Sequence, residues 1–470
     1  MPAVTLDELA HQLSAELIGD GSVTPTDVQF DSRRAHSGDL FACVPGASHD
    51  GHDFAVGAVD RGAVAVLTER ALPVEVPQLV VASVRTAMAT AAAIVHGHPS
   101  AELVLIGVTG TNGKTTVAYF LGAVLEAAGR SSRVVGTLGG THTTPEAPDL
   151  QRLLRQYLDE GVDSVAMEVS SHALDLERVA AIRFDVSVFT MLGRDHLDFH
   201  GTPERYFAAK ARLFGPDLSA RAVLNIDAPH GRLLRDTVEI PAVTYSLDDV
   251  SDLAMDAHGS RFRWRGVDVQ IALPGRHNVS NAVAALTAGA ELGIAAEVSA
   301  AGVARVERVP GRFDMVPGSG DFAVVVDYSH TPDALAVAIG AAHELTAGRV
   351  IVVFGAGGDR DRQKRPEFGT VAATADLLIV TSDNPRSEDP ATIIDEIVAG
   401  IPSEDRARSR VEPDRRQAID LALREAGPGD LVLLAGKGHE STQTIGNDIV
   451  SFDDRQVAAE LLARIQGGDR

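Results

Sequence analysis

The stretch that decides the fold is Leu103-Val-Leu-Ile-Gly-Val108, followed at once by Thr109-Gly-Thr-Asn-Gly-Lys-Thr-Thr116. The first six residues are apolar or glycine and predict a buried strand. Beyond the loop, apolar residues recur at helical spacing from Val117 to Leu125, and Gly129 is placed to end that helix. A strand, a glycine-rich loop that ends in Lys-Thr, and a helix follow one another in the order that a phosphate-binding loop requires.

The residue types of this loop suit a nucleoside triphosphate. Backbone N–H groups at a helix N-terminus bind an anion, Lys114 would neutralise the β- and γ-phosphates, and the Thr115 hydroxyl would hold Mg²⁺. Val108 occupies the position where this motif usually begins with glycine, with Gly107 and Gly110 on either side. The plainer alternative is a glycine-rich turn with a surface lysine, but the flanking strand and helix favour the phosphate loop.

The nucleotide is predicted to be ATP. Guanine-binding proteins of this class use an Asn-Lys-x-Asp motif, and none of the chain's four lysines lies in one.

Composition limits the class of protein. A chain of 470 residues is too long for one ordinary core, so two or three domains are expected. The net charge of −23 argues against non-specific nucleic-acid binding and against anionic membranes. The single cysteine, Cys43, cannot form an internal disulfide, which fits a reducing cytoplasm. No signal peptide is expected in the polar segment Met1 to Ala10, and apolar stretches such as Val80 to Val95 are too short to span a membrane.

Apolar runs alternate with helical patterns along the chain, which predicts an α/β fold with mainly parallel sheets. A first block ends near Pro99, and a third opens after the turn Val309-Pro-Gly311. The predicted domains are therefore residues 1–98, 99–309 and 310–470. Further buried strands are predicted at Phe322–Val326, Val350–Phe354, Leu377–Val380 and Leu431–Leu434.

Lys210 lies on an unusually apolar helix face. Thr202-Pro203 predicts the helix start, and the neighbours of Lys210 at i±3 and i±4 are all apolar or aromatic. Burial would favour the neutral amine, which can take up CO₂ to become a carbamate, an anionic metal ligand. A lysine that snorkels to solvent is the alternative, and the sequence leaves both open.

Two further clusters follow strand-like runs. Asp195-His-Leu-Asp-Phe-His200 follows the run Phe184–Leu192, and this density of His and carboxylate suits a divalent cation. His196 and His200 could also suggest zinc, but no H-E-x-x-H motif is present. Glu168, in Met167-Glu-Val-Ser-Ser-His172, follows the run Ser164–Ala166, where open α/β sheets place functional groups.

Several motifs together resemble the ATP-dependent Mur ligases of peptidoglycan synthesis. The general ones are Gly107–Thr116, Glu168-Val-Ser-Ser-His172, Arg194-Asp-His-Leu-Asp198 and Asn278-Val-Ser-Asn281. Others resemble the branch that adds the third residue of the peptide: Thr143-Thr-Pro-Glu-Ala-Pro-Asp149, Asp327-Tyr-Ser-His-Thr-Pro-Asp333, Asp383-Asn-Pro-Arg386 and Gly436-Lys-Gly-His-Glu440. The motifs run from Asp31 to Arg455, nearly the whole chain.

The resemblance implies three domains: an N-terminal UDP-sugar-binding α/β domain, a central P-loop ATPase and a C-terminal Rossmann-like domain. It implies ATP and two Mg²⁺ sites, with Thr115 and Glu168 at one, and His196 and carbamylated Lys210 at the other. The catalytic set would be Lys114, Glu168, His196 and Lys210. The nucleotide contacts would be Gly107, Gly110, Thr111, Asn112, Gly113, Lys114, Thr115, Thr116, Asn278, Arg312 and Asp327.

The implied substrates are small molecules, UDP-N-acetylmuramoyl-L-Ala-D-Glu and meso-diaminopimelate, with no nucleic acid, no membrane insertion, and a monomeric, cytoplasmic protein. The UDP-sugar would contact Phe30, Ser32, Ala47, Ser48, His49, Thr143, Thr144, Ser170 and Arg178. The amino acid would contact Arg365, Asp383, Asn384, Pro385, Arg386, Gly436 and Glu440. The Asp-Asn-Pro-Arg form goes with diaminopimelate rather than L-lysine, and Arg365 and Arg386 could pair bidentately with its second carboxylate.

Two alternatives stay open from the sequence. One is another amide ligase of the same superfamily, such as a folylpolyglutamate synthase or a ligase that adds L-lysine. The other is a non-catalytic nucleotide-binding relative, which departures from the family pattern such as Met191 and His277 would allow. His330 and Glu440 are candidates for the general base.

Overall fold

The computed structural model describes residues 3–46, 49–140 and 142–466. The first part of the chain forms a five-stranded sheet in the order β1-β5-β4-β3-β2, parallel except for β1. A capping box between Thr5 and Glu8 starts its first helix. The elements are α1 (Leu6–Leu13), β1 (Glu16–Ile18), β2 (Asp27–Gln29), β3 (Asp39–Ala42), α2 (Ala55–Asp60), β4 (Ala65–Thr68), β5 (Gln78–Val80) and α3 (Val84–Val95).

The middle of the chain forms an all-parallel six-stranded sheet in the order β11-β10-β9-β6-β8-β7, and beside it an antiparallel sheet β12-β13-β14. The elements are β6 (Val104–Thr109), α4 (Lys114–Ala127), β7 (Ser132–Val135), α5 (Ala147–Asp159), β8 (Ser164–Glu168), α6 (Ser171–Asp175), β9 (Val186–Phe189), α7 (Leu197–His200), α8 (Pro203–Ala211), β10 (Ala222–Asn225), α9 (Pro229–Thr237), β11 (Ala242–Tyr245), β12 (Val250–Asp256), β13 (Gly259–Trp264), β14 (Val267–Ile271), α10 (Arg276–Glu291) and α11 (Ala296–Ala304). Helix α5 also packs against α3, which joins this part to the first.

The last part forms a second six-stranded sheet in the order β15-β16-β20-β17-β18-β19, parallel except for β15, and a separate hairpin β21-β22. The elements are β15 (Asp314–Met315), β16 (Ala323–Asp327), α12 (Pro332–Leu345), β17 (Val350–Phe354), α13 (Lys364–Ala372), β18 (Leu377–Val380), α14 (Pro390–Ala399), β19 (Ser409–Val411), α15 (Arg415–Glu425), β20 (Leu431–Ala435), β21 (Thr442–Ile445), β22 (Asp448–Ser451) and α16 (Asp454–Gln466).

The α/β class with parallel sheets is confirmed, and so are the predicted strands, each within one to three residues. Strands β17, β18 and β20 are buried along their whole length, because helices cover both faces of the sheet. Helix α8 begins as predicted, since the Thr202 side chain accepts a hydrogen bond from the Arg205 N–H. The residue boundaries of the three domains stay predictions.

The parallel strands place the motifs at the carboxyl edges of the two large sheets. The phosphate loop follows β6, Glu168 ends β8, Asp327 ends β16, and Gly436 follows β20. In open α/β sheets this edge is where ligands bind. In the described part of the chain, no helix has the length and apolar character needed to cross a bilayer.

Candidate active site

The phosphate loop has the backbone that its glycines predict. Gly113 has φ 88° and immediately precedes α4, and Gly110 has φ 150°. A Cβ on Gly110 would lie 1.9 Å from Thr190 Oγ1, so no larger residue fits there. Lys114 Nζ donates to the carbonyl oxygens of Gly110 and Thr111, both at 2.9 Å. The loop is thereby closed around its lysine, with the amino terminus of α4 facing an open cavity.

That cavity, which we call the reaction cavity, encloses about 620 Å³ of empty space. Its walls come from the phosphate loop, from the ends of β8 and β9, and from the last part of the chain. The lining residues are Thr111, Asn112, Gly113, Lys114, Thr115, Thr116, Thr137, Thr143, Glu168, Asp195, His196, Arg312, Tyr328 and His330. Gly107 is absent from this lining because it lies inside β6, where a Cβ would lie 3.0 Å from the Phe184 ring.

Glu168 brings a carboxylate to the cavity wall. Its side chain is buried, Oε1 accepts from the Thr137 N–H at 2.9 Å, and Oε2 accepts from Thr137 Oγ1 at 3.3 Å. Gly136 has to be glycine here, because a Cβ would lie 2.2 Å from Glu168 Oε1. The carboxylate is therefore fixed in one orientation before any ligand arrives.

Asp195 and His196 both have a lowered pKa, for different physical reasons. Burial opposes ionisation of Asp195, but the hydrogen bond and charge of His330, with His196 and Lys364, outweigh it and lower the pKa. His330 Nε2 lies 3.5 Å from Asp195 Oδ2, and Lys364 Nζ lies 4.0 Å from Oδ1. Burial lowers the pKa of His196 to about 3, although Asp195 opposes this. His196 is therefore neutral at pH 7, the form in which an imidazole binds a metal ion.

Lys210 is buried at 1 % exposure, so the snorkelling alternative is wrong. Its Nζ donates to the Gly110 carbonyl at 2.9 Å and lies 4.6 Å from the Tyr206 ring centre. Burial, reinforced by the charge of Lys114, holds the pKa of Lys210 well below its ordinary value. Lys210 stands behind the phosphate loop and does not line the reaction cavity.

Residues of the last part of the chain close the reaction cavity. The Arg312 guanidinium donates to Thr115 Oγ1 at 3.0 Å and lies over the Tyr328 ring at 4.6 Å. The Arg194 N–H donates to Asp333 Oδ2 at 2.8 Å, and the Arg194 guanidinium pairs with Glu367. The two large sheets therefore face each other across the phosphate loop.

A second cavity, which we call the nucleotide cavity after the nucleotide contacts predicted for some of its residues, adjoins the reaction cavity and spans about 810 Å³, part of it open to solvent. It is lined by Asn278, Arg312 and Asp327, three of the predicted nucleotide contacts, and shares Asn112, Gly113, Thr116, Arg312 and Tyr328 with the reaction cavity. Its far end has an apolar wall formed by α12. An elongated ligand can therefore lie with one end in this cavity and the other on the phosphate loop.

A third cavity, which we call the amino-acid cavity after the amino-acid contacts predicted for some of its residues, spans about 1120 Å³, part of it open to solvent. It shares Asp195, His196, Tyr328 and His330 with the reaction cavity. Of the predicted amino-acid contacts, it is lined by Asp383, Asn384, Arg386, Gly436 and Glu440. Pro385 does not line it; the Pro385 carbonyl packs against Gly358, where a Cβ would lie 1.9 Å from the oxygen. The cavity also holds His172, Arg360, Asp361 and Lys364, which were not among the predicted contacts.

The structure does not bring Arg365 to this cavity. Its guanidinium is 0 % exposed and pairs bidentately with Glu388, at 2.9 and 2.7 Å, and with Glu396 at 2.7 Å. Arg360, five residues earlier, is exposed and lines the cavity beside Arg386. The sequence feature that could have identified Arg360 as a cavity residue is the loop Gly357-Gly-Asp-Arg360, which follows β17 at the carboxyl edge of the sheet.

The predicted UDP-sugar contacts fall into two groups. Thr143 lines the reaction cavity, and beside it Thr144, Ser170 and Arg178 form one hydrogen-bond network. In this network Thr144 Oγ1 accepts from the Ser170 N–H at 3.1 Å, and Arg178 donates to the Thr144 carbonyl at 2.9 Å. The other group belongs to the first part of the chain: Phe30 packs on its core, Ser32 begins a 3₁₀ turn at 32–34, and His49 packs edge-on to Phe54. Ala47 and Ser48 lie outside the described residues.

A phosphate loop, a fixed carboxylate and three connected cavities between two parallel sheets are features of an ATP-dependent ligase. The chain belongs to the Mur ligase family. Three family models match it in succession: "Mur ligase family, catalytic domain" at residues 26–107, "Mur ligase middle domain" at 108–289, and "Mur ligase, glutamate ligase domain" at 311–438.

Individual relatives define the branch. The chain is 44% identical to the UDP-N-acetylmuramoyl-L-alanyl-D-glutamate–2,6-diaminopimelate ligase of Syntrophomonas wolfei, over 97% of this chain and 99% of that protein. A solved structure of a ligase with the same name is 31% identical, covers 99% of both chains and has a TM-score of 0.69. The MurF ligase of Thermotoga maritima in complex with ADP shares the fold, with 21% identity, a TM-score of 0.64, and coverage of 93% of this chain and 96% of that one.

Proposed function

We propose that this protein is the ATP-dependent ligase that joins meso-2,6-diaminopimelate to UDP-N-acetylmuramoyl-L-Ala-D-Glu. One observation carries the proposal: the reaction cavity shares residues with the nucleotide cavity on one side and with the amino-acid cavity on the other. Three reactants can thus meet at one point between Lys114 and His330. The two 2,6-diaminopimelate ligases that the chain matches along nearly their whole length support this activity over that of other amide ligases.

The reaction consists of two displacements. An oxygen of the D-Glu carboxylate attacks the γ-phosphorus of ATP, the bond to the β-phosphate oxygen breaks, and ADP leaves. The amine nitrogen of diaminopimelate then attacks the carbonyl carbon of the acyl phosphate, the bond from that carbon to the phosphate oxygen breaks, and phosphate leaves as the amide forms. The amine gives up a proton, and His330, which lines both the reaction and the amino-acid cavities, is a candidate acceptor.

The protein contributes positioning and charge neutralisation. Lys114 and the N-terminus of α4 would hold the β- and γ-phosphates, and Arg312, which contacts Thr115 across the cavity, would add a positive charge. Thr143, with Thr144, Ser170 and Arg178 beside it, would orient the UDP-sugar peptide. Because the phosphates and the carboxylate repel one another, cations on all sides are needed for them to approach.

Divalent metal ions fit part of this site. Thr115, Glu168 and His196 line one cavity, and the neutral His196 suits a metal. Among the described residues no three His, Cys, Asp or Glu side chains are grouped as a metal site on their own, so phosphate oxygens would have to complete the ligand sets. A carbamate on Lys210 would join them only if this side chain turned from behind the phosphate loop into the cavity. Mg²⁺ held there would stabilise the negative charge of the transferring phosphoryl group.

The amino-acid cavity supports a substrate with two carboxylates. Arg386 and Arg360 both line it, and arginine pairs with carboxylates bidentately. L-Lysine has only one carboxylate and would leave one of these arginines without a substrate carboxylate to pair with.

The test is phosphate release from ATP with UDP-N-acetylmuramoyl-L-Ala-D-Glu, offered meso-diaminopimelate, L-lysine or no amino acid. Release with diaminopimelate alone is expected. Release with L-lysine alone would assign the chain to the lysine-adding ligases. No release under any condition would support the non-catalytic alternative.

A further inference from the structure

Lys437 is fully buried at the edge of the amino-acid cavity, and none of the roles proposed so far uses it. It lies between Gly436 and Gly438, both with positive φ. A Cβ at Gly436 would lie 2.6 Å from Asp383 Oδ2, and one at Gly438 would lie 2.6 Å from Tyr328 Cβ. The two glycines therefore let the chain pass close to the cavity wall and turn the lysine inward.

The Lys437 ammonium has two partners. Nζ donates to the Thr442 carbonyl at 2.5 Å and to Glu440 Oε2 at 3.3 Å. The Glu440 side chain is 32% exposed and lines the cavity. A buried lysine is costly unless it is paired, and here its partner is a carboxylate that opens toward the substrate.

Glu440 Oε2 is held from a second side. Asn384 Nδ2 donates to it at 2.7 Å, while Asn384 Oδ1 accepts from the Thr444 N–H at 2.9 Å. Thr442 and Thr444 belong to β21, so lysine, strand, asparagine and glutamate form a closed ring of hydrogen bonds. Within the described residues, no group bonds to Glu440 Oε1, which leaves that oxygen for a ligand.

We propose that Lys437 is a positioning residue for the amino-acid substrate, which fixes Glu440 through Oε2 so that Oε1 meets an ammonium group of the incoming amino acid. This rests on the proposed function, since it requires an amino acid in this cavity. An ammonium group is the complement of a carboxylate oxygen held in one orientation.

Two other ion pairs beside the same sheet show how a pair that only stabilises the fold differs from Lys437–Glu440. The pair Arg415–Asp454 has both partners 0 % exposed, and neither residue lines the amino-acid cavity. Arg349 pairs with Asp430 at the opposite, amino end of β20, at 2.7 Å. Of these three ion pairs, only Lys437–Glu440 has a carboxylate that lines the cavity.

The test is steady-state kinetics of Lys437→Met, Glu440→Gln and the double variant, with the amino acid varied and the other substrates saturating. Lys437→Met should raise the KM for the amino acid at least ten-fold, with the KM values for ATP and the UDP-sugar within two-fold of wild type. Because Lys437 acts through Glu440, the double variant should be no worse than Glu440→Gln alone. Lys437→Gln, which keeps an N–H donor, should recover part of the loss, and it replaces the Met variant if that variant does not fold.

Arg349→Met is the matched control, because it removes a cation from a carboxylate in the same domain and should leave all KM values unchanged. An unchanged or lowered KM for the amino acid in the Lys437 variants, or effects that multiply in the double variant, would overturn the positioning role. If wild type uses L-lysine instead of diaminopimelate, the proposed function fails, and the same series is measured with L-lysine. If wild type uses neither, both proposals are overturned.

Discussion

The sharpest prediction concerns which arginine pairs with a substrate carboxylate beside Arg386. The sequence favours Arg365, whereas the structure favours Arg360. Arg365→Met would leave Glu388 and Glu396 without the buried cation that both contact. Removing one partner of a buried ion pair costs about 3 kcal/mol, which lowers Tm by roughly 6–12 °C for a domain of this size. The KM for diaminopimelate should not change, since Arg365 does not line the cavity.

Arg360→Met should have the opposite pattern, with an unchanged Tm and a higher KM for diaminopimelate. Arg360 is exposed, so its loss should leave Tm unchanged. Loss of one charge-assisted pair with a substrate carboxylate, partly screened by solvent, costs about 1.5 kcal/mol, or about ten-fold in the KM for diaminopimelate. Thermal unfolding without substrate and initial rates of phosphate release measure the two effects separately.

The control is Arg362→Met, in the same loop, which removes an exposed pair with Glu396 and should change neither quantity. A ten-fold rise in KM at unchanged Tm in Arg365→Met, together with a normal KM in Arg360→Met, would refute this reasoning.

Three other predictions concern buried charges. Lys210→Ala should abolish phosphate release. Bicarbonate should not restore it, whereas a small carboxylate such as acetate should restore part of it, and full activity of the variant would refute the carbamate. Burial, helped by the charge of Arg312, lowers the pKa of His439 to about 4 from the usual 6.5. Because the unfolded chain then binds the proton more readily, the free energy of unfolding should fall by about 3 kcal/mol as the pH drops from 6.5 to 4. In urea unfolding at a series of pH values, His439→Gln should show a smaller fall over this pH range. Asp454→Ala should cost about 3 kcal/mol in the same assay by leaving Arg415 unpaired, and the double variant Arg415→Met with Asp454→Leu should recover most of it.

The strands and the phosphate loop could be predicted because each depends on local pattern. Runs such as Val350–Phe354 are apolar over the length of a strand, and the loop at Lys114 has glycines where the backbone needs positive φ. The residues placed at the site from sequence, Glu168 and Asp383 among them, directly follow or end such strands. A motif at a strand end is therefore positioned by the sheet itself.

The choice between Arg360 and Arg365 could not be made in this way. Arg360 lies in the irregular stretch after β17, whereas Arg365 lies in the first turn of α13, which begins at Lys364. Helix α13 packs against α14, which carries Glu396, and this packing turns Arg365 from the cavity. This packing brings together residues about thirty positions apart in the sequence, so the local pattern of apolar residues cannot predict it. Lys210 was undecided for a similar reason, since its burial depends on the Gly110 loop, a hundred residues earlier.

The position of the reaction cavity follows from the arrangement of the two large sheets. Their carboxyl edges face each other, so the phosphate loop after β6 and Glu168 at the end of β8 meet Tyr328 and His330, which follow β16. The contacts between the edges include Arg312 to Thr115, Arg194 to Asp333 and Glu367, and His330 and Lys364 to Asp195, and all of these are polar. Because such polar contacts are individually weak, we expect the two sheets to separate at modest cost to admit a large nucleotide-sugar and then to close around the acyl phosphate, which must be kept from water until the amine arrives.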